Sequence, residues 1–156
     1  MSHPAQNLKL SNIPQKAAEE MLRIIQDLHD VYVRETDFLT ESNTKGFFSL
    51  QDEKEQITRR YEQGMRQMLA RKEEMKTVSQ AIKDALRLLQ EKFTQVAQKN
   101  REMLERMQRT TERLSNTIRN AAKEAVNKRT SGGYGSNGSL TMPSTRNMSI
   151  GINETI

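Results

Sequence analysis

The sequence predicts an all-α protein: an antiparallel bundle of three long, coiled-coil-like helices with a disordered C-terminal tail. Three observations support this fold class. Between residues 18 and 125 apolar side chains recur at steps of three and four, the spacing that places them on one helix face. The chain is 34% hydrophobic, 4% aromatic and 29% charged, which suits an elongated bundle with a narrow core. Residues 130–156 are rich in Gly, Ser, Asn and Thr, a composition that does not support a packed core.

The first helix is expected over residues 14–42, after an N-terminal segment, residues 1–12, that is predicted to be unstructured. Ser11 next to Asn12 can cap free backbone N–H groups, and Pro14 is tolerated in a first turn. The apolar stripe of this helix consists of Ala18, Met21, Ile25, Leu28, Tyr32 and Leu39.

The second helix is expected over residues 48–75, because residues 43–46 interrupt the apolar pattern. Ser49 with Asp52 three residues later resembles a capping arrangement. Gly64 lies inside this helix and costs about 1 kcal/mol relative to Ala. The apolar face consists of Phe47, Leu50, Ile57, Tyr61, Met65, Met68 and Leu69.

The third helix is expected over residues 78–129, which completes a helical bundle over residues 13–129. The apolar rhythm crosses residues 74–78 without Pro or Gly, so a single long helix is also conceivable. Thr77 with Gln80 resembles a capping box and favours a turn there. The seam of this helix is Ile82, Leu86, Leu89, Phe93, Val96, Asn100, Leu104, Met107, Thr111, Leu114, Ile118, Ala121 and Ala125.

Two polar residues occupy seam positions. Glu35 stands where the first stripe requires an apolar residue. It either pairs with an Arg of a facing helix or turns to the edge of the face, and the second arrangement is favoured. Asn100 in the third helix is interpreted as a buried polar residue that fixes helix register at some cost in stability.

The sequence contains no recognisable catalytic constellation, so we expect a protein that is not an enzyme and has no cofactor. Its two histidines are His3, in the N-terminal segment, and His29, beside Asp30. Neither belongs to a metal-binding or catalytic spacing, and the absence of Cys excludes a thiolate site. No metal ligands are therefore predicted.

The expected location is the cytoplasm. No stretch approaches the roughly 18 to 20 apolar residues that a membrane span needs, and the N-terminus lacks the apolar run of a secretory signal. A chain without Cys suits a reducing compartment.

Positive charge is concentrated in residues 78–130, where twelve Lys and Arg outnumber six Asp and Glu. A basic helix could contact nucleic acid or an acidic surface. Acidic residues alternate with the basic ones, as in the i,i+4 pair Glu102 and Arg106, so a solvated helix face is the favoured interpretation.

Binding of another protein is the function that the remaining pattern favours. Met is frequent in the second and third helices, either because it fills gaps in a narrow seam or because it adapts to varied partner helices. If the third helix is the longest, its distal half has an apolar stripe without cover, which would need an outside helix. The candidate contact residues are Met103, Met107, Leu114 and Ile118, with Ile150 and Ile152 as anchors in the tail.

Several motifs resemble the FlgN family, the cytoplasmic export chaperones of the bacterial flagellum. The first is a Gly turn that leads into Phe-Phe-Ser-Leu at residues 47–50, followed by acidic residues and Lys54. The second is Tyr-Gly-Ser-Asn-Gly at residues 134–138, just past the long last helix, which is similar to the Tyr-Gly-x-x-Gly of this family's tails. The third is the closing Met-Ser-Ile-Gly-Ile at residues 148–152.

The resemblance implies a non-catalytic chaperone. Its cargo would be the hook–filament junction proteins of the FlgK and FlgL type, bound through their C-terminal helices, kept unassembled and delivered to the type III export gate. It also implies that the tail and the late third helix bind the cargo, and that Tyr134 contacts the cytoplasmic domain of the FlhA-type gate protein. The alternatives are a coiled-coil structural or stalk component of a secretion apparatus and a basic helical protein that binds nucleic acid.

Overall fold

The computed structural model describes residues 7–131 of the chain, with side chains through Thr130, and confirms the all-α class. Three long helices pack with each antiparallel to the next along the chain, and the described residues contain no strand. The chain divides after Arg109 into two compact units. The described residues up to Arg109 form the helical bundle, and those from Thr110 to Ser131 form a helical segment. Within the described residues, no helix combines the length and the apolar character needed to cross a membrane. The helices are α1 (Pro14–Thr40), α2 (Thr44–Ala70), α3 (Lys72–Met75) and α4 (Gln80–Ser131).

The core is centred on α1, which packs against both other long helices. Its buried face is broader than the predicted stripe, since it also includes Ala17, Ile24 and Val31. A helix between two neighbours buries a wider arc than one that faces a single partner. The partly buried side chains that pack against this core come mainly from α2 and α4 and are Leu8, Tyr61, Met65, Met68, Met75, Leu86, Leu89 and Phe93.

Helices α1 and α4 run parallel in a constant register. Near the start of both helices, Gln15 Nε2 donates to Ser79 Oγ over 3.3 Å. Near the end of α1, Asn100 Nδ2 donates to Thr36 Oγ1 over 3.2 Å. Both contacts join residues 64 positions apart in the sequence. The intervening α2 therefore runs antiparallel to each.

The turn between α1 and α2 is tighter than the sequence predicts. α1 ends at Thr40 rather than residue 42, and α2 begins at Thr44 rather than residue 48. The cap is Asn43, whose side chain accepts a hydrogen bond of 2.8 Å from Gly46 N. Ser49, predicted as the cap, instead lies inside the first turns and donates from Oγ to Gly46 O. Ser42 precedes the cap with a positive φ of 56°.

The break between the second and third long helices is real and is wider than predicted. α2 ends at Ala70, and the short α3 and a turn occupy the residues up to Ser79. The alternative of one continuous helix is therefore excluded. The break lets α4 return along α1.

Gly64 of α2 is buried at a point of close helix approach. A Cβ atom there would lie 2.6 Å from Sδ of Met21 and 3.4 Å from Cδ2 of Leu8. The glycine costs helix propensity, but its missing side chain leaves room for Met21 in the core.

The segment formed by residues 7–12 is ordered, contrary to the prediction. Leu10 is 3% exposed and belongs to the core. The side chains of α2 hold the backbone: Gln63 Oε1 accepts from Leu8 N over 2.8 Å, and Gln67 accepts from Leu10 N and donates to Leu8 O. The composition of residues 7–12 could not predict their order, because the glutamine side chains that hold them lie more than fifty residues further along the chain. Residues 1–6 lie outside the described part of the chain.

Candidate partner-binding site

The four predicted contact residues of the third helix all lie on α4. Met103 is half-buried and Met107 is 36% exposed, and both belong to the helical bundle. Leu114 and Ile118 are 60% and 61% exposed and belong to the segment Thr110–Ser131. Leu69 of α2 is as exposed, at 66%, but Leu114 and Ile118 lie one turn apart on the same helix face.

The segment presents a continuous exposed face. Its described side chains are exposed, apart from the half-buried Ser115. Steps of three, four, three and four residues separate the positions of one stripe, which correspond to a and d of a heptad. These positions are Thr111, Leu114, Ile118, Ala121 and Ala125.

The residues that flank this stripe are mostly small and uncharged. The adjoining e and g positions include Thr110, Ser115, Thr117 and Ala122. Small side chains beside a Leu/Ile pair let a partner helix approach closely. The same heptad count identifies these flanks from the sequence, although the initial prediction named only the large side chains.

The charged residues of the segment are mainly on its outer positions. Arg113, Arg119 and Lys123 lie at positions c, b and f, away from the stripe. Charged side chains at these positions are hydrated and do not contact a partner that packs against the a and d positions. Recognition on this face therefore depends on apolar contact and shape.

The predicted residues of the tail lie outside the described part of the chain. These residues are Tyr134, Ile150 and Ile152. Their assigned contacts with cargo and export gate remain predictions.

A cluster of polar side chains lies inside the bundle, around Glu35. This residue is 0% exposed, so the prediction that it turns to the edge is wrong. Its Oε1 accepts from Gln51 Nε2 over 2.7 Å, and its Oε2 accepts from Lys54 Nζ over 2.5 Å and from Asn100 Nδ2 over 2.7 Å. A buried carboxylate requires such partners, and here they are a Lys, a Gln and an Asn rather than an Arg. Asn100, at 1% exposed, is confirmed as a buried polar residue.

The charges of Lys54 and Glu35 in this cluster also affect Tyr32. The Lys54 ammonium lies 4.3 Å from the centroid of the Tyr32 ring, a cation–π arrangement. Burial, with a smaller contribution from the negative charge of Glu35, raises the pKa of the Tyr32 hydroxyl above its ordinary value of 10.0. Within the described residues, no buried side-chain oxygen or nitrogen lacks a hydrogen-bond partner. Hydrogen bonds within the cluster therefore satisfy its polar groups, and they join α1 to α2 and α4.

The histidine in the described region is His29 on α1. Its Nδ1 lies 3.1 Å from Oδ1 of the neighbouring Asp30, whose side chain is 60% exposed. Residues 7–131 contain no group of three His, Cys, Asp or Glu side chains placed to hold a metal ion.

Comparison of the chain with family models, curated proteins and solved structures gives no match in any of the three. The likeness to the FlgN family therefore rests on the motifs described above. Among the described residues, the exposed stripe of Thr110–Ser131 is the candidate partner-binding surface.

Proposed function

We propose that this protein is a cytoplasmic chaperone of the flagellar type III export system. Its cargo is a hook–filament junction protein of the FlgK or FlgL type, bound through the C-terminal helix of the cargo. Binding prevents premature assembly, and the complex is delivered to an FlhA-type export gate. The observation that carries the proposal is the exposure of Leu114 and Ile118, 60% and 61%, at a and d positions of one helix face.

The energetics favour a helical partner on this face. Full burial of a Leu or Ile side chain contributes about 1.5 to 3 kcal/mol. Leu114 and Ile118 are already about two-fifths covered by their own helix, so a partner gains less from each. An amphipathic helix that lies along the stripe buries both at once and continues onto the alanines of the next turns. A modest gain of this kind suits a chaperone that must release its cargo.

The tail supplies the second contact in this proposal. Tyr134 binds the cytoplasmic domain of the export gate, while Ile150 and Ile152 anchor the tail on the cargo. Met103 and Met107 add cargo contacts where the bundle ends. A tail segment that orders only on binding gives up part of its affinity to entropy. This cost permits rapid exchange between partners, and the chaperone performs no catalysis.

Isothermal titration with the purified C-terminal helix of a junction protein tests the cargo site. The double variant Leu114→Asp/Ile118→Asp should raise Kd at least about tenfold, which corresponds to about 1.4 kcal/mol. The matched control Asn116→Asp/Asn120→Asp introduces the same charge on the opposite helix face. It should leave Kd within about a factor of two, because it removes no apolar contact. Equal loss in both variants, or no cargo binding by the natural chain, contradicts the proposal.

Tyr134→Ala tests the gate contact separately. This change should weaken binding to the purified gate domain while the cargo Kd stays the same, because Tyr134 is not one of the proposed cargo-contact residues. Tyr61→Phe, on α2, serves as a control for loss of a Tyr hydroxyl. Unchanged gate binding by the Tyr134 variant removes this residue from the proposal.

A coiled-coil structural component is the second candidate function. The mostly uncharged flanks of the stripe favour it, since they would repel a second copy of the same helix only weakly. Light scattering over a range of protein concentrations separates the two. Growth of assemblies without cargo, abolished by Leu114→Asp/Ile118→Asp, supports the structural role, whereas a constant small mass supports the chaperone.

A further inference from the structure

A hollow of about 280 Å³ lies where the end of α2, the short α3 and the start of α4 meet α1. Its lining has two kinds of residue. The apolar ones are Ala18, Met68, Met75, Val78 and Leu86, and the polar ones are Lys72, Lys76 and Lys83. No acidic side chain lines it. The hollow thus combines apolar side chains with three lysines, which are called the rim below.

The three lysines differ in how their charge is compensated. Lys76 Nζ lies 2.5 Å from Glu73 Oε2, but both side chains are largely exposed, so the pair is weak. Lys83 Nζ donates to the carbonyl oxygen of Lys76 over 2.7 Å, which leaves its positive charge unneutralised. Lys72 is exposed and makes no ion pair with any described residue. The rim therefore keeps a net positive charge.

We propose that this hollow is a docking site for an acidic amphipathic helix of a protein partner. One or two large aliphatic side chains of that helix enter the hollow, and its carboxylates lie against the three lysines. The inference rests on charge complementarity, because an apolar lining beside three lysines, of which Lys76 alone pairs with a carboxylate, selects a ligand that is apolar and anionic. Methionine supports this use, since its flexible thioether adapts to partner side chains of different shape.

The shape and chemistry of the hollow favour a protein helix over other anionic partners. Single-stranded nucleic acid binds through aromatic stacking platforms, and the lining contains no aromatic residue. Proteins that bind an anionic membrane surface insert projecting apolar side chains between the lipids. Here the apolar residues of the lining are buried or half-buried and do not project. The volume lies near the lower end of small-molecule pockets and suits one or two aliphatic side chains.

This site is independent of the cargo stripe of the proposed function. The hollow lies within the bundle, whereas Leu114 and Ile118 belong to the segment Thr110–Ser131. Either surface can therefore fail its test without affecting the other.

Fluorescence anisotropy with a designed peptide tests the proposal on the full chain. The probe is a labelled helix of about 14 residues, or four turns, with Leu along one face and Glu on both sides. We expect micromolar binding that weakens as salt is added. A second peptide with Gln in place of every Glu should bind at least about fivefold more weakly, because its carboxylates are missing.

Charge reversal on the rim supplies the decisive comparison. Lys72→Glu/Lys76→Glu should raise the Kd of the acidic peptide at least about tenfold, since it replaces attraction by repulsion. The control Lys92→Glu/Lys99→Glu makes the same change at two exposed lysines outside the hollow and should alter Kd less than about twofold. The rim and control variants are also compared in the Leu114→Asp/Ile118→Asp background, which removes the exposed stripe as a second site for an amphipathic peptide. Circular dichroism verifies that every variant remains helical.

Three outcomes overturn the proposal. The first is absence of peptide binding at millimolar concentration. The second is equal weakening by the rim and control variants, which would assign the effect to net charge. The third is binding of phosphatidylglycerol vesicles, lost in Lys72→Glu/Lys76→Glu, without binding of the peptide, which would assign the lysines to a membrane surface.

Discussion

Asn100 of α4 donates a hydrogen bond of 2.7 Å from Nδ2 to Oε2 of Glu35 on α1, inside the bundle. The two side chains are 1% and 0% exposed. Sliding one helix past the other by a single turn would move the partners about 5.4 Å apart and leave both polar groups buried without each other. The contact therefore fixes the parallel register of α1 and α4 more specifically than an apolar seam can.

Removal of the buried carboxylate should destabilise the bundle strongly. Glu35→Ala leaves Lys54, Gln51 and Asn100 without their common acceptor. Loss of one member of a buried charged pair costs about 3 to 5 kcal/mol, and the Lys54 side chain is 17% exposed, which lets water offset part of it. We expect the free energy of unfolding, measured in urea, to fall by about 2 to 4 kcal/mol.

The surface pair of Arg34 and Glu53 provides the control, since both side chains are 48% exposed. Glu53→Ala should change the free energy of unfolding by less than about 1 kcal/mol. A similar loss in both variants would mean that the burial of Glu35 has no special role.

Asn100→Leu should also destabilise, but less. The change removes two hydrogen bonds donated to Glu35 and Thr36, while Glu35 keeps Lys54 and Gln51. The expected loss is about 1 to 3 kcal/mol. In a double-mutant cycle with Glu35→Ala, a coupling free energy of about 0.5 to 3 kcal/mol is expected. Strict additivity would show that the two residues act separately.

Gln67→Ala should loosen the backbone at Leu10 without unfolding the helices. The side-chain amide of Gln67 accepts from Leu10 N over 2.9 Å and donates to Leu8 O over 2.6 Å. Hydrogen exchange of the Leu10 amide should accelerate at least about tenfold, while core amides of α1 stay protected. Gln56→Ala, at an exposed position of the same helix, should leave the Leu10 rate unchanged. Equal rates in the two variants would contradict the role of Gln67.

The raised pKa of Tyr32 predicts a loss of stability in alkaline solution. The folded chain holds the Tyr32 proton more tightly than the unfolded chain does, because burial and then Glu35 disfavour the phenolate. Its contribution is complete below pH 10 and falls as the pH rises through the folded-state pKa. Urea unfolding measured from pH 9 to 11 should show a steeper decline for the natural chain than for Tyr32→Phe. Gln56→Ala, at an exposed position without a titratable group, is the control and should keep the natural slope.

The fold class could be predicted from the sequence because apolar spacing acts locally. Apolar residues at steps of three and four give each helix one apolar face, whatever its partners are. The same spacing identified Leu114 and Ile118 as members of an apolar stripe on the longest helix. Helix ends were less predictable, since Asn43 caps α2 only because the turn after Ser42 brings its side chain to Gly46 N.

Only the tertiary structure determined whether the polar residues of the seams are buried or exposed. Glu35 interrupts an apolar stripe, and its burial depends on Lys54 and Asn100, which lie 19 and 65 residues further along the chain. Leu8 and Leu10 are ordered for the same reason, because glutamines of α2 bind their backbone. The apolar periodicity of the sequence shows which face of each helix is apolar, and this was enough to predict a helical bundle. A buried charge is tolerated only where distant groups converge on it, and that convergence is a property of the packed helices.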